Sequence, residues 1–189
     1  MELLEQRILR DGKIKPGGVL KVDSFLNHQI DPALLYEMAL ELKRLYAGEE
    51  INKIFTIEAS GIALACMVGY VFSCPLVFAK KSKTRNISDE VYRTEVDSFT
   101  HGNTNTVVVS KEYLGAGDRI LIIDDFLATG AALLGLKALV EQAGGTVVGA
   151  GIAIEKAFQG GGEALRAQGM RIESLARIAS MHDESITFC

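Results

Sequence analysis

Residues 120–132, "ILIIDDFLATGAA", carry two adjacent carboxylates, Asp124 and Asp125, from the end of an aliphatic run straight into a short loop with Thr129 and Gly130. Neighbouring carboxylates repel each other and are costly to desolvate, so a place at the tip of an apolar run calls for a ligand that compensates. Two chemistries suit the pair: binding the vicinal hydroxyls of a sugar, or organising the waters of a divalent metal. The next residues form a small phosphate cradle. Thr129 offers a hydroxyl, Gly130 admits close approach of the backbone, and a helix opening there points free N–H groups at an anion. Ala128, Ala131 and Ala132 complete the loop with small side chains. The parts fit a ribose 5-phosphate, with hydroxyls on the carboxylates and the phosphate at the helix start.

The elements that must hold these groups follow from the pattern of the chain. Residues 1–10 suit an amphipathic helix, and Asp31-Pro32 marks the start of a second one, ended by Gly48. Residues 16–29 read as irregular chain or a short strand. Strands are predicted at 53–58, 75–80, 106–110, 119–124 and 146–155, with helices after Ser60-Gly61 and over 129–143. "YRTEVDSF" within the polar stretch 81–105 alternates like a hairpin arm. The last thirty residues hold the glycine run 160–162, a short helical piece and a strand at "RIESLAR". Alternating strands and helices predict an α/β fold with a mostly parallel central sheet flanked by helices. Ligands of such sheets bind beyond the carboxyl ends of the strands, and Asp124, Asp125, Glu58 and Lys80 all fall at predicted strand ends.

Composition narrows the field. A chain of 189 residues, 48% apolar and 23% charged, suits one globular domain with a substantial core. A net charge of −4 gives no sign of a nucleic-acid or membrane surface. Cys66, Cys74 and Cys189 are odd in number and widely spaced, as expected of reduced thiols in a cytoplasmic protein, and His28, His101 and His182 lack metal-binding spacing. The N-terminus shows no secretory segment, and no apolar run approaches the roughly 18 residues of a membrane span. A P-loop is missing, and "GAGIAI" (149–154) lacks the third glycine of a dinucleotide fingerprint. A receiver-type phosphoacceptor also uses strand-end aspartates, but it normally spreads them over different strands of a shorter chain.

Strand, acidic pair, Thr-Gly loop and small-residue helix together resemble the phosphoribosyl-diphosphate signature of type I phosphoribosyltransferases, and the resemblance runs along nearly the whole chain. Family members commonly carry a hydroxyl residue where this chain has Ala132, so its phosphate relies more on Thr129 and on backbone N–H groups. The resemblance implies a single domain over 1–189, with a core at about 32–155 and a hood from about 1–31 and 156–189. "TIEASGIALA" (56–65) resembles the family's diphosphate loop, where Glu58, Ala59, Ser60 and Gly61 face the diphosphate. "FAKKSKTRNISDEVYRTEVDSF" resembles the mobile loop, with Lys80 and Lys81 on the diphosphate; for Lys83 and Arg85 a solvated basic loop is an equally good reading.

The reaction so implied is displacement of diphosphate from 5-phosphoribosyl 1-diphosphate by a purine ring nitrogen, with Asp124 and Asp125 as the catalytic pair and Mg2+ carried mainly by the diphosphate rather than by a protein metal site. Two hood segments suit the base: "GGVLKVDSFLNHQ", with Leu20 and Asn27, and "AIEKAF", with Lys156 and Phe158. Lysine only donates, which matches the oxo groups of xanthine and not the amino group of adenine. Phe158 either stacks on the ring or packs in the core, packing being the favoured of the two, and Glu155 either orients Lys156 or faces solvent. The expected role is purine salvage, forming xanthosine 5'-monophosphate in a homodimer. The alternatives are transfer to guanine or hypoxanthine, with adenine the least suited, or a regulator that senses phosphoribosyl diphosphate. About thirty residues precede the first core helix, too few for a DNA-binding winged helix.

Overall fold

A computed structural model describes residues 1–82, 90–97, 104–182 and 185–189. Helix α1 (Glu2–Asp11) buries Leu4 and Ile8, one turn apart. A hairpin of β1 (Lys13–Lys15) and β2 (Val19–Lys21) follows, then a five-residue π-turn, Asp23–Asn27, that buries Phe25 and Leu26. Strand β2 and the π-turn fall in the stretch 16–29, read as irregular chain or a short strand; β1, just before it, was not expected, since a strand of three residues is too short for alternation to register. Helix α2 (Pro32–Leu45) starts as its sequence predicts: the Asp31 carboxylate accepts the Leu34 amide at 3.2 Å, and Pro32 sits where a missing N–H costs nothing. Arg7 donates to the same carboxylate at 2.7 Å and ties α1 to this cap.

The remaining elements are β3 (Lys53–Ile57), α3 (Gly61–Phe72), β4 (Leu76–Ser82), β5 (Val91–Asp97), β6 (Thr104–Ser110), β7 (Arg119–Leu127), α4 (Ala131–Gln142), β8 (Thr146–Lys156), α5 (Gly161–Ala167), β9 (Ile172–His182) and β10 (Ser185–Phe188). The sheet order is β10-β9-β8-β7-β3-β4-β6-β5. The strands from β9 to β4 run parallel, and antiparallel partners flank them: β10 on one side, the β5–β6 hairpin on the other. The fold is α/β, as expected. Helices α1, α2 and α3 cover one face over Leu121 and Ile123, while α4 packs Leu133, Leu136 and Leu139 on the other over Phe55, Ile120 and Ile122. Burial on both faces is why β7 reads as continuous aliphatics rather than an alternation.

Two boundaries beside the aspartates differ from the sequence expectation. Strand β7 does not stop at the aspartates; it stays paired with β8 as far as Leu127 opposite Glu155, because β8 is long enough to keep supplying backbone partners. Helix α4 accordingly begins at Ala131, two residues late, with Gly130 as its cap at φ 88°. The C-terminal residues also add β10, whose alternation in "SITF" is short.

Candidate active site

The carboxyl ends of β3, β4 and β7 converge on a cleft of about 260 Å³. Glu58, Ala59, Ser60 and Gly61 reach it from the β3–α3 turn, Lys81 from β4, Asp124 and Asp125 from β7, and Ala128 to Ala132 from the loop that opens α4. The Glu58–Ala59 peptide bond is cis. All these positions were expected from sequence to surround one ligand, and they do share one cavity. Lys80 is the departure. Side chains alternate along a strand, so with Lys81 facing the cleft Lys80 points to the opposite face, where its ammonium lies 5.9 Å from the ring centre of Phe78. Lys83, Arg85 and His101 lie outside the described residues.

The two aspartates occupy different environments. Asp124 is only 5% exposed and accepts the Asp125 amide at 3.0 Å, whereas Asp125 is partly open to the cleft. Burial, and after it the neighbouring Asp125 carboxylate, push the Asp124 pKa well above the ordinary aspartate range, with the Lys81 ammonium opposing. Glu58 accepts the Lys81 amide at 2.5 Å, so the diphosphate-like turn and the end of β4 are held together. Facing them, the first turn of α4 directs unpaired backbone N–H groups into the cleft, an arrangement suited to a phosphate.

Two polar residues at or beside the cleft escaped the sequence reading. Asn105 of β6 lines the cleft, at the edge of a stretch that reads only as polar loop. Thr56, in the middle of β3, is fully buried with its hydroxyl unpartnered, close to Gly61. A lone hydroxyl in "KIFTIE", just ahead of the Ser-Gly turn, was the available signal.

The expected base contacts are less concentrated. Lys156, at the end of β8, donates to the Gly18 carbonyl at 2.9 Å and stands 5.7 Å from the ring centre of Phe126, itself a wall of the cleft. It thereby joins the β1–β2 turn to the site, and burial lowers its pKa. Asn27 ends the π-turn with a buried side-chain oxygen that has no partner. Leu20 points into the core, which leaves only its backbone for a ligand. Phe158 is 45% exposed on a short helical turn that buries none of its residues, so the preference for core packing is corrected: the turn holds the ring at the surface. Glu155 does not face solvent either; it is buried against Arg166.

Residues 21–163 match the phosphoribosyl transferase domain family. The chain belongs to the phosphoribosyl transferase family. It is 55% identical over 187 residues to the protein of Lachnoclostridium phytofermentans named xanthine phosphoribosyltransferase, covering 99% of this chain and 96% of that one. It is 52% identical over 189 residues to its namesake in Clostridioides difficile, with both chains fully covered. Among solved structures, the APRTase of Giardia lamblia complexed with 9-deazaadenine is 26% identical with a TM-score of 0.74, over 91% of this chain and 92% of that one. The adenine phosphoribosyltransferase of Thermoanaerobacter pseudethanolicus is also 26% identical, with a TM-score of 0.68 over 78% and 82% of the two chains.

One position of this phosphoribosyl transferase tests the packing behind the aspartates. A Cβ at Gly61 would sit 2.3 Å from the Thr56 hydroxyl and 3.3 Å from Oδ1 of Asp124. Gly61→Ala is therefore expected to displace the β3–α3 turn and Asp124 together, lowering Tm by several degrees and kcat/KM by about 10²-fold. Thermal melts and steady-state kinetics on the purified variant check both.

Proposed function

We propose that the protein transfers the 5-phosphoribosyl group of 5-phosphoribosyl 1-diphosphate to xanthine, releasing diphosphate and forming xanthosine 5'-monophosphate, as a purine-salvage enzyme of the cytoplasm acting as a homodimer. The observation that carries this reading is the single cleft in which the acidic strand end, the phosphate loop and the β3–α3 turn meet, with Lys156 across Phe126 from it. The homologues named for xanthine, alike over their full length, support the choice of base.

The steps follow from where charge develops. As the bond to the leaving diphosphate stretches, positive charge grows on the ribose and negative charge on the diphosphate. Asp124 and Asp125 lie where the ribose hydroxyls would be held and stabilise the first. The Lys81 ammonium and the backbone of Ala59 and Ser60 face the second. The loop 128–132 grips the 5-phosphate and fixes the sugar so that the base nitrogen meets the anomeric carbon in line. Lys156 donates to an oxo group of the purine, Asn27 offers its unpartnered oxygen to a ring N–H, and the backbone near Leu20 completes the set. The hood is formed by the chain ends, about residues 1–31 and 156–189.

Among the described residues no three His, Cys, Asp or Glu side chains cluster as a metal cage. The carboxylates of Asp124, Asp125 and Glu58 around the cleft instead fit an ion that arrives with the diphosphate, which they would hold mainly through water. Magnesium so held would supply neutralisation of charge on the leaving group. No helix among the described residues is long and apolar enough to cross a membrane.

The test is to supply phosphoribosyl diphosphate and magnesium with xanthine, guanine, hypoxanthine or adenine in separate reactions and follow nucleotide formation. Xanthine is expected to give the highest kcat/KM and adenine the lowest. Equal rates on all four would remove the lysine argument.

A further inference from the structure

Behind the phosphate loop, on the side away from the cleft, lies a cluster that the reaction itself does not use. Glu155 is closed to solvent, yet three side-chain hydrogen bonds converge on its carboxylate. Its oxygens accept from both terminal nitrogens of Arg166, at 2.8 and 2.7 Å, and from the Ser174 hydroxyl at 2.5 Å, and Arg177 approaches at 3.3 Å. Burial opposes its ionisation, but these donors outweigh it and keep the carboxyl below the ordinary glutamate range. A buried ion pair of this kind is a poor source of stability, because its desolvation cost roughly cancels the attraction. What it does provide is a fixed geometry.

The geometry it fixes is that of α5. Arg166 belongs to this helix, and Glu163 of its first turn is held by Arg177 of β9 at 2.7 Å. At Gly161 the helix lies directly on the phosphate loop, backbone against backbone. A Cβ at Gly161 would fall 2.2 Å from the Ala128 carbonyl oxygen and 2.3 Å from the Thr129 carbonyl carbon. A Cβ at Gly162 would fall 2.1 Å from Oε1 of Glu155. The glycine run thus lets one turn of helix wedge between a buried carboxylate and the backbone of the loop, and Leu165 closes over Gly130.

We infer that α5, seated by Glu155 and Arg166 and pressed through Gly161 onto Ala128 and Thr129, is a positioning element that sets the phosphate loop from behind. Glu155, Gly161 and Arg166 are its positioning residues. The inference rests on the proposed reading of residues 128–132 as the phosphate ligands and adds what holds them in place. It predicts a selective defect. Moving the loop backbone should weaken the sugar phosphate more than the base, because Lys156, although next to Glu155 in the chain, is anchored separately on the Gly18 carbonyl.

The test uses Gly161→Ala and, as a variant that keeps the charge but loses the forked geometry, Arg166→Lys. Each is compared with the wild type by thermal melting, by calorimetric titration with phosphoribosyl diphosphate and magnesium, and by KM for xanthine at saturating phosphoribosyl diphosphate. The expected result is a rise of about tenfold or more in Kd for phosphoribosyl diphosphate, with KM for xanthine within about twofold of wild type. A wild-type Kd in either folded variant would overturn the inference. So would equal losses for both substrates in step with a lowered Tm, which is what general loosening gives. If Gly161→Ala does not fold, Arg166→Lys decides alone. Failure of the wild type itself to bind phosphoribosyl diphosphate would defeat the functional reading instead, so the two failures are distinguishable.

Discussion

Asp125→Asn is expected to lower kcat by about 10²–10³-fold, the range seen when one preorganised electrostatic partner of a transition state is removed. Tm should stay close to wild type, because Asp125 is partly open to the cleft and contributes no core packing. Asp124→Asn should cost activity in the same way but should also raise stability. Asp124 is buried beside another carboxylate and its folded pKa is raised. The sign then follows from linkage. The folded state keeps this proton to a higher pH than the unfolded chain does, so the favourable contribution is complete below about pH 4 and is lost as pH rises through the folded value. At neutral pH the folded state must either hold this proton or bury the charge beside Asp125, and both carry a penalty that an amide does not. Asp124→Asn should therefore raise Tm at pH 7 by a few degrees while abolishing most turnover, and the gain should shrink toward pH 4. Melts of both variants across that pH range, beside single-turnover rates, check the pair. A wild-type rate in Asp125→Asn would take the carboxylates out of the mechanism.

Lys156→Met should separate the bases. The ammonium is half-buried, linked to the Gly18 carbonyl, and positioned over Phe126 at the rim of the cleft. Methionine keeps much of the packing of the stem and removes the donor. Loss of a charged hydrogen bond to an oxo group is worth about 10–150-fold in kcat/KM for xanthine. Adenine, which offers an amino group there, should lose nothing and should gain in relative rate. The measurement is kcat/KM for both bases in wild type and variant. A parallel fall for xanthine and adenine would mean that Lys156 only pins the β1–β2 turn.

Much of this arrangement was legible in the chain because it is written in local chemistry. A cap and proline at 31–32, a doubly buried strand read as unbroken aliphatics, and an acidic pair followed by Thr-Gly each have a short-range cause. They placed the two aspartates, the loop 128–132 and the turn 58–61 in one site. What the sequence concealed depends on long-range pairing. Strand β7 continues past the aspartates because β8 happens to accompany it, and which of Lys80 and Lys81 faces the cleft is decided by register, where one residue exchanges the faces. Glu155 looks like a surface charge until β9 brings Ser174 and Arg177 beside it and the short helix brings Arg166. The run 160–162 shows in the sequence only as three glycines, whereas at Gly161 and Gly162 the missing side chains serve close packing.

The central claim is that the 5-phosphate and the ribose hydroxyls sit where the end of β7 meets the start of α4. A crystal structure of the protein with phosphoribosyl diphosphate and magnesium tests it most directly. The account predicts the 5-phosphate on the backbone N–H groups and hydroxyl of the 128–132 loop, with the ribose hydroxyls against Asp124 and Asp125. Saturating ligand bound anywhere else, with this cleft left to solvent, would contradict it.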